Sequence, residues 1–188
     1  MTNSAHGEKM FFKIRYIVIL TIFLLISSFS CKDEKIAARD KDSSVKWENI
    51  STVFKNNDNK KNPDLKKPVL IFFYTEWCTF CKKMDKETFN NNEIAQYMNE
   101  NYINIRVNPE KENSKIKVME KDLTPYELMM HTGAQGFPTT LFFNDKMKPL
   151  TVIPGYVENK TFLLILKYLK EEWYNKNVSM DDYIKNSE

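Results

Sequence analysis

A pair of cysteines at the end of an apolar run constrains this chain more than any other feature. Residues 68–74 form a continuous apolar run of strand length. Such a run is typical of a central strand that is covered on both faces. Cys78 and Cys81 follow, three residues apart, at the start of a lysine-rich segment that predicts a helix to about Lys86. The pattern therefore predicts a buried strand that ends beside two thiols on the first turn of a helix.

This placement suits thiol–disulfide exchange. Free backbone N–H groups and the helix dipole at a helix N-terminus favour a thiolate, here at Cys78. Cys81 comes one turn later, close enough to attack a mixed disulfide and release the partner. Lys82 and Lys83 follow the pair. If their ammonium groups face the sulfur, their positive charge favours the thiolate. The commoner alternative is that both are solvated lysines on the helix surface. A disulfide that closes so small a loop stabilises a fold little, so a redox role explains the pair better.

The same cysteines have two metal-binding interpretations. Zinc sites use three or four Cys, His or carboxylate ligands. The chain has no second CxxC motif and two histidines. His6 precedes the apolar N-terminal segment, and His131 stands alone at a predicted helix end, so we do not predict a metal site that needs a histidine. Two thiolates alone can bind copper(I), and that interpretation stays open.

Residues 1–31 have the pattern of an export signal. A basic stretch precedes the apolar run 16–26, which is shorter than the roughly 20 residues of a typical spanning helix. Cys31 then stands where a bacterial lipoprotein signal places its acylated cysteine. Such signals usually have leucine where this chain has Ser28, so an uncleaved membrane anchor and ordinary cleavage nearby stay open.

The signal pattern also predicts a location. Positive charge stays in the cytoplasm, so everything after residue 31 is expected on the exported side. We therefore expect a domain that faces the periplasm or the cell envelope and is anchored to a membrane through its N-terminus. If Cys31 carries lipid, Cys78 and Cys81 are the remaining thiols of the chain's three cysteines.

Composition excludes several function classes. The net charge is +3 over 188 residues, and the lysines are interleaved with acidic residues and asparagine. A nucleic-acid-binding face would need clustered Lys and Arg, so no nucleic-acid partner is predicted. Glycine is scarce, at 4 residues, and no phosphate-binding glycine loop is visible. The ordinary apolar and charged fractions predict one domain with a real core, and we expect a monomer.

The remaining pattern predicts a small α/β sandwich with a mixed sheet. We interpret residues 32–46 as a flexible tether, residues 47–176 as the folded domain and residues 177–188 as a polar tail with about one helical turn. Residues 109–123 are predicted to be a polar surface insertion with some helix. The predicted strands are 68–74, 102–107, 139–143 and 150–153, and the predicted helices begin near Trp47, Cys78, Asn92, Pro125 and Phe162.

Two motifs together resemble the thioredoxin-fold family. The first is WCTFCK at 77–82, after an apolar strand, and the second is GFPT at 136–139. Exported thioredoxin-like thiol–disulfide interchange proteins are the closer resemblance, because segment 82–89 looks like their active-site helix. The resemblance covers about residues 45–175. It implies a thioredoxin-like sandwich in which helices flank a central mixed β-sheet.

The resemblance also implies roles for individual residues. Cys78 would be the attacking thiolate and Cys81 the buried resolving thiol. Pro138 would be a cis-proline that faces the pair, and the Phe137 backbone would pair with a substrate strand. Trp77 would flank the sulfur and shape the docking surface, although plain core packing explains a tryptophan here equally well. No metal and no cofactor beyond the Cys78–Cys81 disulfide is implied.

The sequence departs from the family pattern at the site. Thr79 and Phe80 separate the cysteines, where thioredoxin itself has Gly-Pro, and this leaves the redox potential open. Many relatives carry a buried acid six positions before the first cysteine, where it accepts the proton of the resolving thiol. That position here is Phe72. Glu76 is the nearest carboxylate in sequence, and it either acts through water or is simply an exposed charge.

The sequence thus predicts a membrane-tethered, exported thiol–disulfide oxidoreductase. Family analogy favours the reductase direction, with protein disulfides or dithiols as clients and a membrane redox partner. One alternative is a thioredoxin-fold lipoprotein that binds copper(I) or peptides without redox turnover. Another is a structural lipoprotein whose disulfide never cycles.

Overall fold

The computed structural model describes residues 44–55 and 65–187. The strands are β1 (Val69–Phe73), β2 (Ile103–Val107), β3 (Ile116–Val118), β4 (Lys121–Leu123), β5 (Thr139–Phe143) and β6 (Pro149–Pro154). The helices are α1 (Ile50–Lys55), α2 (Thr79–Met84), α3 (Asn92–Asn101), α4 (Pro125–His131), α5 (Asn159–Lys170) and α6 (Met180–Ser187). A π-helical turn at Asp85–Phe89 continues α2, and a 3₁₀ turn occupies Trp173–Lys176.

Four strands form one mixed sheet in the order β2-β1-β5-β6. β1 runs parallel to β2 and antiparallel to β5, so Phe72 stands between Arg106 and Thr140. β6 pairs antiparallel with β5. Every side chain of β1 and β5 is buried, because both faces of the sheet are covered. The predicted α/β sandwich with a mixed sheet flanked by helices is confirmed.

The two faces of the sheet carry separate apolar clusters. One cluster packs α2, α3 and α5 against the sheet and contains Phe72, Cys78 and Cys81. The other packs α1, α4 and β3 against the opposite face, around Phe73 and Ile105. The cysteine pair therefore belongs to the first cluster, and the sheet separates it from the second cluster.

Tyr102 joins two helices of the cysteine-bearing layer. Its hydroxyl donates to the Leu166 carbonyl at 2.6 Å, which links the end of α3 to α5. Burial raises the pKa of Tyr102 well above its ordinary value, and Tyr97 and Tyr174 add to the effect. The phenol is therefore neutral at physiological pH and remains a hydrogen-bond donor.

The N-terminal part of the domain differs from the prediction. Trp47 precedes the first helix, which begins at Ile50. The chain there is extended, and Glu48 forms a parallel bridge with Ile105 at the edge of β2. Residues 44–46, predicted as the end of the tether, are held against α3, where Asn99 bonds the Lys46 N–H and the Ser44 carbonyl. Covering the open edge of β2 satisfies backbone groups that a helix there would leave unpaired.

The insertion also differs from the prediction. Residues 116–123 form a two-stranded antiparallel hairpin instead of helix. Its turn places Met119 and Glu120 at φ +51° and +60°. Turns of this kind favour Asn-Gly or Gly, so the sequence lacks the usual hairpin signal. Burial of Ile116 and Val118 under the sheet explains why the hairpin forms nevertheless.

The C-terminal tail contains more helix than predicted. α6 spans Met180–Ser187, and Ser179 caps it by accepting the Asp182 N–H at 3.1 Å. Tyr183 packs against Tyr168 of α5 with ring centroids 5.5 Å apart. Contact with α5 stabilises a segment too short to be helical alone.

No helix in the described part of the chain is both long and apolar enough to cross a bilayer. The predicted signal segment, most of the predicted tether and Cys31 lie outside the described residues. Their predicted roles stay predictions.

Candidate active site

The two cysteines form a disulfide at the start of α2, with their Cα atoms 5.3 Å apart. Cys78 is the N-cap residue, with an extended backbone, and its sulfur accepts the Cys81 N–H at 3.0 Å. Both side chains are largely buried, at 4% exposure for Cys78 and 1% for Cys81. After reduction, the same N–H and the helix N-terminus would stabilise a negative charge on Cys78 Sγ.

The loop before β5 lies beside the pair. The peptide bond between Phe137 and Pro138 is cis, which is the geometry that the resemblance implied for Pro138. The Pro138 carbonyl accepts the Gly155 N–H at 2.8 Å, so this loop is tied to the end of β6. Phe137 packs against the apolar cluster that contains both cysteines. Its predicted role in pairing with a substrate strand stays a prediction.

Trp77 lies at the surface, next to the disulfide. Its side chain is 66% exposed, which excludes the core-packing interpretation. Its ring meets the Phe137 ring edge-on at 5.9 Å, and its indole N–H donates to both Glu110 carboxylate oxygens at 3.1 and 3.2 Å. Phe80, between the cysteines, is 59% exposed. Two exposed aromatic side chains thus adjoin the cysteines in the sequence, and exposed aromatic residues are common at protein docking sites.

Comparison with known proteins assigns the chain to a family. A family model described as the thioredoxin-like domain matches residues 55–170. The chain belongs to the thioredoxin-like domain family. A thioredoxin-fold protein from Helicobacter pylori superposes with a TM-score of 0.56 and 24% identity over 72% of this chain and 88% of that one. A thioredoxin from Thermus thermophilus gives a TM-score of 0.52 and 16% identity, over 67% and 87%. These two likenesses concern the fold.

Sequence relatives add a more specific likeness. The thiol:disulfide interchange protein DsbD of Salmonella typhimurium is 29% identical over 98 residues, which are 51% of this chain and 16% of DsbD. DsbD of Actinobacillus pleuropneumoniae is 30% identical over 110 residues, or 55% of this chain and 16% of that protein. The chain therefore matches a small part of the length of these curated relatives.

This thioredoxin-like domain has an aromatic side chain at the position where many relatives place a buried acid. Phe72 is fully buried, with its ring 4.8 Å from that of Phe89 and 6.1 Å from that of Trp47. Glu76 does not replace the acid, because its exposed carboxylate forms an ion pair with Lys111 and raises the pKa of that lysine. Of the two interpretations of Glu76, the structure favours the exposed charge.

The sequence prediction missed a carboxylate beside this site. Asp85 follows Cys81 by one helical turn, and both of its oxygens accept bonds from the Arg106 guanidinium at 2.7 Å. Arg106 lies opposite Phe72 in the sheet and 4.1 Å over the Tyr74 ring centroid. The active-site helix therefore carries a carboxylate one turn after Cys81, and an ion pair with Arg106 of β2 holds it. The four-residue spacing from Cys81 was the available signal.

We expect Asp85→Asn to lower the free energy of unfolding by about 1–3 kcal/mol, because it leaves the partly buried Arg106 without its counter-ion. Urea denaturation measures this loss. Glu100→Gln is the matched control, since Glu100 is exposed and bonds Gln96, and we expect a change within about 0.5 kcal/mol. Equal losses for the two substitutions would show that the Asp85–Arg106 pair contributes no more to the free energy of unfolding than an exposed hydrogen bond.

The two histidines were not predicted to be metal ligands. His131 is exposed, and its Nε2 lies 3.0 Å from the Lys121 Nζ. His6 lies outside the described residues. Within 44–55 and 65–187, no three residues among His, Cys, Asp and Glu come together in a group that could hold a metal ion.

Proposed function

We propose that this thioredoxin-like domain is a thiol–disulfide oxidoreductase that exchanges disulfides with exported proteins, with reduction as its favoured direction. The observation that carries the proposal is the Cys78–Cys81 disulfide at the N-terminus of α2. The adjoining cis-proline loop and the exposed Trp77 support it. The likeness to thiol:disulfide interchange proteins supports the reaction class.

The reducing reaction would proceed in two exchanges. The Cys78 thiolate attacks one sulfur of a client disulfide, whose S–S bond breaks, and the released client thiolate takes up a proton. The Cys81 thiol then loses its proton, and its sulfur attacks Cys78 Sγ. This breaks the mixed disulfide, releases the second client thiol and leaves the Cys78–Cys81 disulfide. Two electrons have passed from the cysteine pair to the client.

Repeated reduction needs a supply of electrons. We propose that a dithiol of a membrane redox partner attacks the Cys78–Cys81 disulfide and restores both thiols by the reverse of the same exchanges. In the oxidising direction, the disulfide form would instead accept electrons from a client dithiol. The reduction potential distinguishes these directions, since about −270 mV is typical of reductants and about −120 mV of strong oxidants.

We also propose that the domain works on the exported side of a membrane, held there by lipid on Cys31. The basic stretch, the apolar run 16–26 and the position of Cys31 support this location. Radiolabelled palmitate incorporation that disappears in Cys31→Ser would support the lipid anchor, and unchanged incorporation would contradict it.

Trapping the mixed disulfide tests the reaction. In Cys81→Ser the second exchange cannot occur, so we expect client proteins to accumulate as covalent adducts of Cys78. Non-reducing electrophoresis should show the adducts, and dithiothreitol should release them. The matched control is Cys78→Ser/Cys81→Ser, which should form none. Failure of Cys81→Ser to form Cys78-dependent adducts with any disulfide protein would contradict the proposed function.

A second candidate function is binding of copper(I) by the reduced pair, or of peptides by the groove, without redox turnover. The observation that favours it is Phe72, which leaves β1 without the usual acid. Tight copper(I) binding by the reduced domain together with no reduction of insulin would support this function over the first.

A further inference from the structure

Contacts between three segments of the chain connect the aromatic residues Trp77, Phe137 and Tyr156. Trp77 meets Phe137 edge-on at 5.9 Å. The next residue, Pro138, accepts the Gly155 N–H at 2.8 Å, and Tyr156 follows Gly155. We call Trp77, Phe137 and Tyr156 the aromatic rim. It runs from the residue before Cys78, across the cis-proline loop, to the end of β6.

A glutamate holds the first end of the rim. Glu110 accepts the Trp77 indole N–H with both carboxylate oxygens, at 3.1 and 3.2 Å. A hydrogen bond stabilises the turn that carries Glu110. Directly after β2, Asn108 Oδ1 accepts the Glu110 N–H at 3.0 Å. The next residue, Lys111, pairs with Glu76. Two neighbouring side-chain pairs therefore join this turn to the residues before Cys78.

A second glutamate holds the other end. The Tyr156 hydroxyl donates to Glu87 Oε2 at 2.7 Å. Lys83 lies 3.8 Å from the same carboxylate oxygen and 4.4 Å over the Tyr156 ring. Beside them, the Thr88 hydroxyl donates to the Val157 carbonyl at 2.8 Å, which ties the loop after β6 to the active-site helix.

We propose that Glu110 and Glu87 are positioning residues that hold the aromatic rim in the orientation that docks an extended segment of a disulfide-bearing protein. The inference rests on the proposed function. An exposed ring that rotates freely must be ordered when a client binds, and fixing it beforehand removes that cost. Each glutamate bonds the polar edge of its ring and not a ring face. Lys83 already lies over one face of the Tyr156 ring, so a client would contact the Trp77 ring and the other face of Tyr156. The inference also assigns a role to the first residues of segment 109–123.

Glu110 and Glu87 bond the ring edges of Trp77 and Tyr156, so their loss should affect docking and not the exchange chemistry. With insulin as substrate and dithiothreitol as reductant, we expect Glu110→Ala and Glu87→Ala each to raise KM about three- to tenfold, the effect of one lost hydrogen bond. Values of kcat should stay within about twofold. The sites lie at opposite ends of the rim, so the double variant should show roughly the product of the two effects.

Three comparisons make the test specific. Bis(2-hydroxyethyl) disulfide is too small to span the rim, so its rate of reduction should be unchanged in every variant. Glu110→Gln keeps an oxygen acceptor and should recover part of the loss. Glu100→Ala is the matched control, because it removes the same charge from an exposed position on α3, where the carboxylate accepts the Gln96 side-chain N–H. Its KM for insulin should equal that of the wild type.

Spectroscopy gives a separate readout. The Trp77 indole N–H should give a nitrogen-correlated NMR signal that shifts in Glu110→Ala and is assigned by its loss in Trp77→Phe. An unchanged signal or an unchanged KM in Glu110→Ala overturns the inference. Equal slowing with both disulfides also overturns it, because the glutamates would then act on the chemistry. A wild type that reduces neither disulfide contradicts the proposed function itself.

Discussion

Replacement of Cys78 by serine is expected to lower the rate of insulin reduction by at least about 1,000-fold, the order of effect seen when a nucleophile is removed. A serine hydroxyl stays protonated at neutral pH, whereas the exchange needs a thiolate. In the structure, Cys78 Sγ accepts the Cys81 N–H at the helix N-terminus, an arrangement that favours negative charge on sulfur and gives serine no comparable reactivity. A turbidity assay of insulin with dithiothreitol measures the loss.

The matched control is Cys31→Ser, which removes the third cysteine and keeps both thiols of the site. We expect this variant, assayed as the full chain in detergent, to retain activity within about twofold. Circular dichroism of Cys78→Ser should show the fold of the wild type, so that lost activity reports lost chemistry. Substantial insulin reduction by folded Cys78→Ser would contradict the assignment of Cys78 as the attacking thiolate.

Replacement of Phe72 by alanine is expected to lower the free energy of unfolding by about 3–5 kcal/mol. Phe72 is fully buried in β1, between the rings of Trp47, Tyr74 and Phe89. The substitution removes this contact area and leaves a cavity that neighbouring elements of a sheet and helix layer cannot easily fill. Urea denaturation monitored by circular dichroism measures the difference.

Phe80→Ala is the matched control for this prediction, because it makes the same chemical change at a side chain that is 59% exposed. Its unfolding free energy should change by about 0.5 kcal/mol or less. Phe72→Leu keeps most of the volume and should cost less than about 1.5 kcal/mol. Similar losses for Phe72→Ala and Phe80→Ala would contradict the prediction that the buried Phe72 ring contributes more to stability than an exposed ring.

The strands that carry the site could be predicted because their signal is local. The apolar runs that became β1 and β5 need cover on both faces, and the structure buries all of their side chains. The start of α4 was predictable for a similar reason. Thr124 caps it in a reciprocal bond pair with Glu127, Pro125 occupies its first turn, and Gly133 follows its end at φ +80°.

Elements that depend on contacts across the fold were predicted less well. The spacing of Trp47 with Ile50 matches a helix, but pairing of Glu48 with β2 holds that stretch extended. The turn of the β3–β4 hairpin lacks the residues that usually indicate such a turn in a sequence. α6 depends on its packing against α5. In each case the deciding partner is distant in the sequence, so local propensity is overridden.

The same division holds for the site. The sequence by itself determined the reactive pair and its place at a helix start, because spacing and neighbouring residues within a few positions carry those signals. The cis geometry of Pro138 was implied by the family resemblance. Only the tertiary structure decided that Trp77 is exposed and that Asp85 pairs with Arg106, 21 residues away. Likewise, Glu110 bonds Trp77 across 33 residues and Glu87 bonds Tyr156 across 69. Side-chain bonds over such separations exist only once the sheet and helices have brought their elements together.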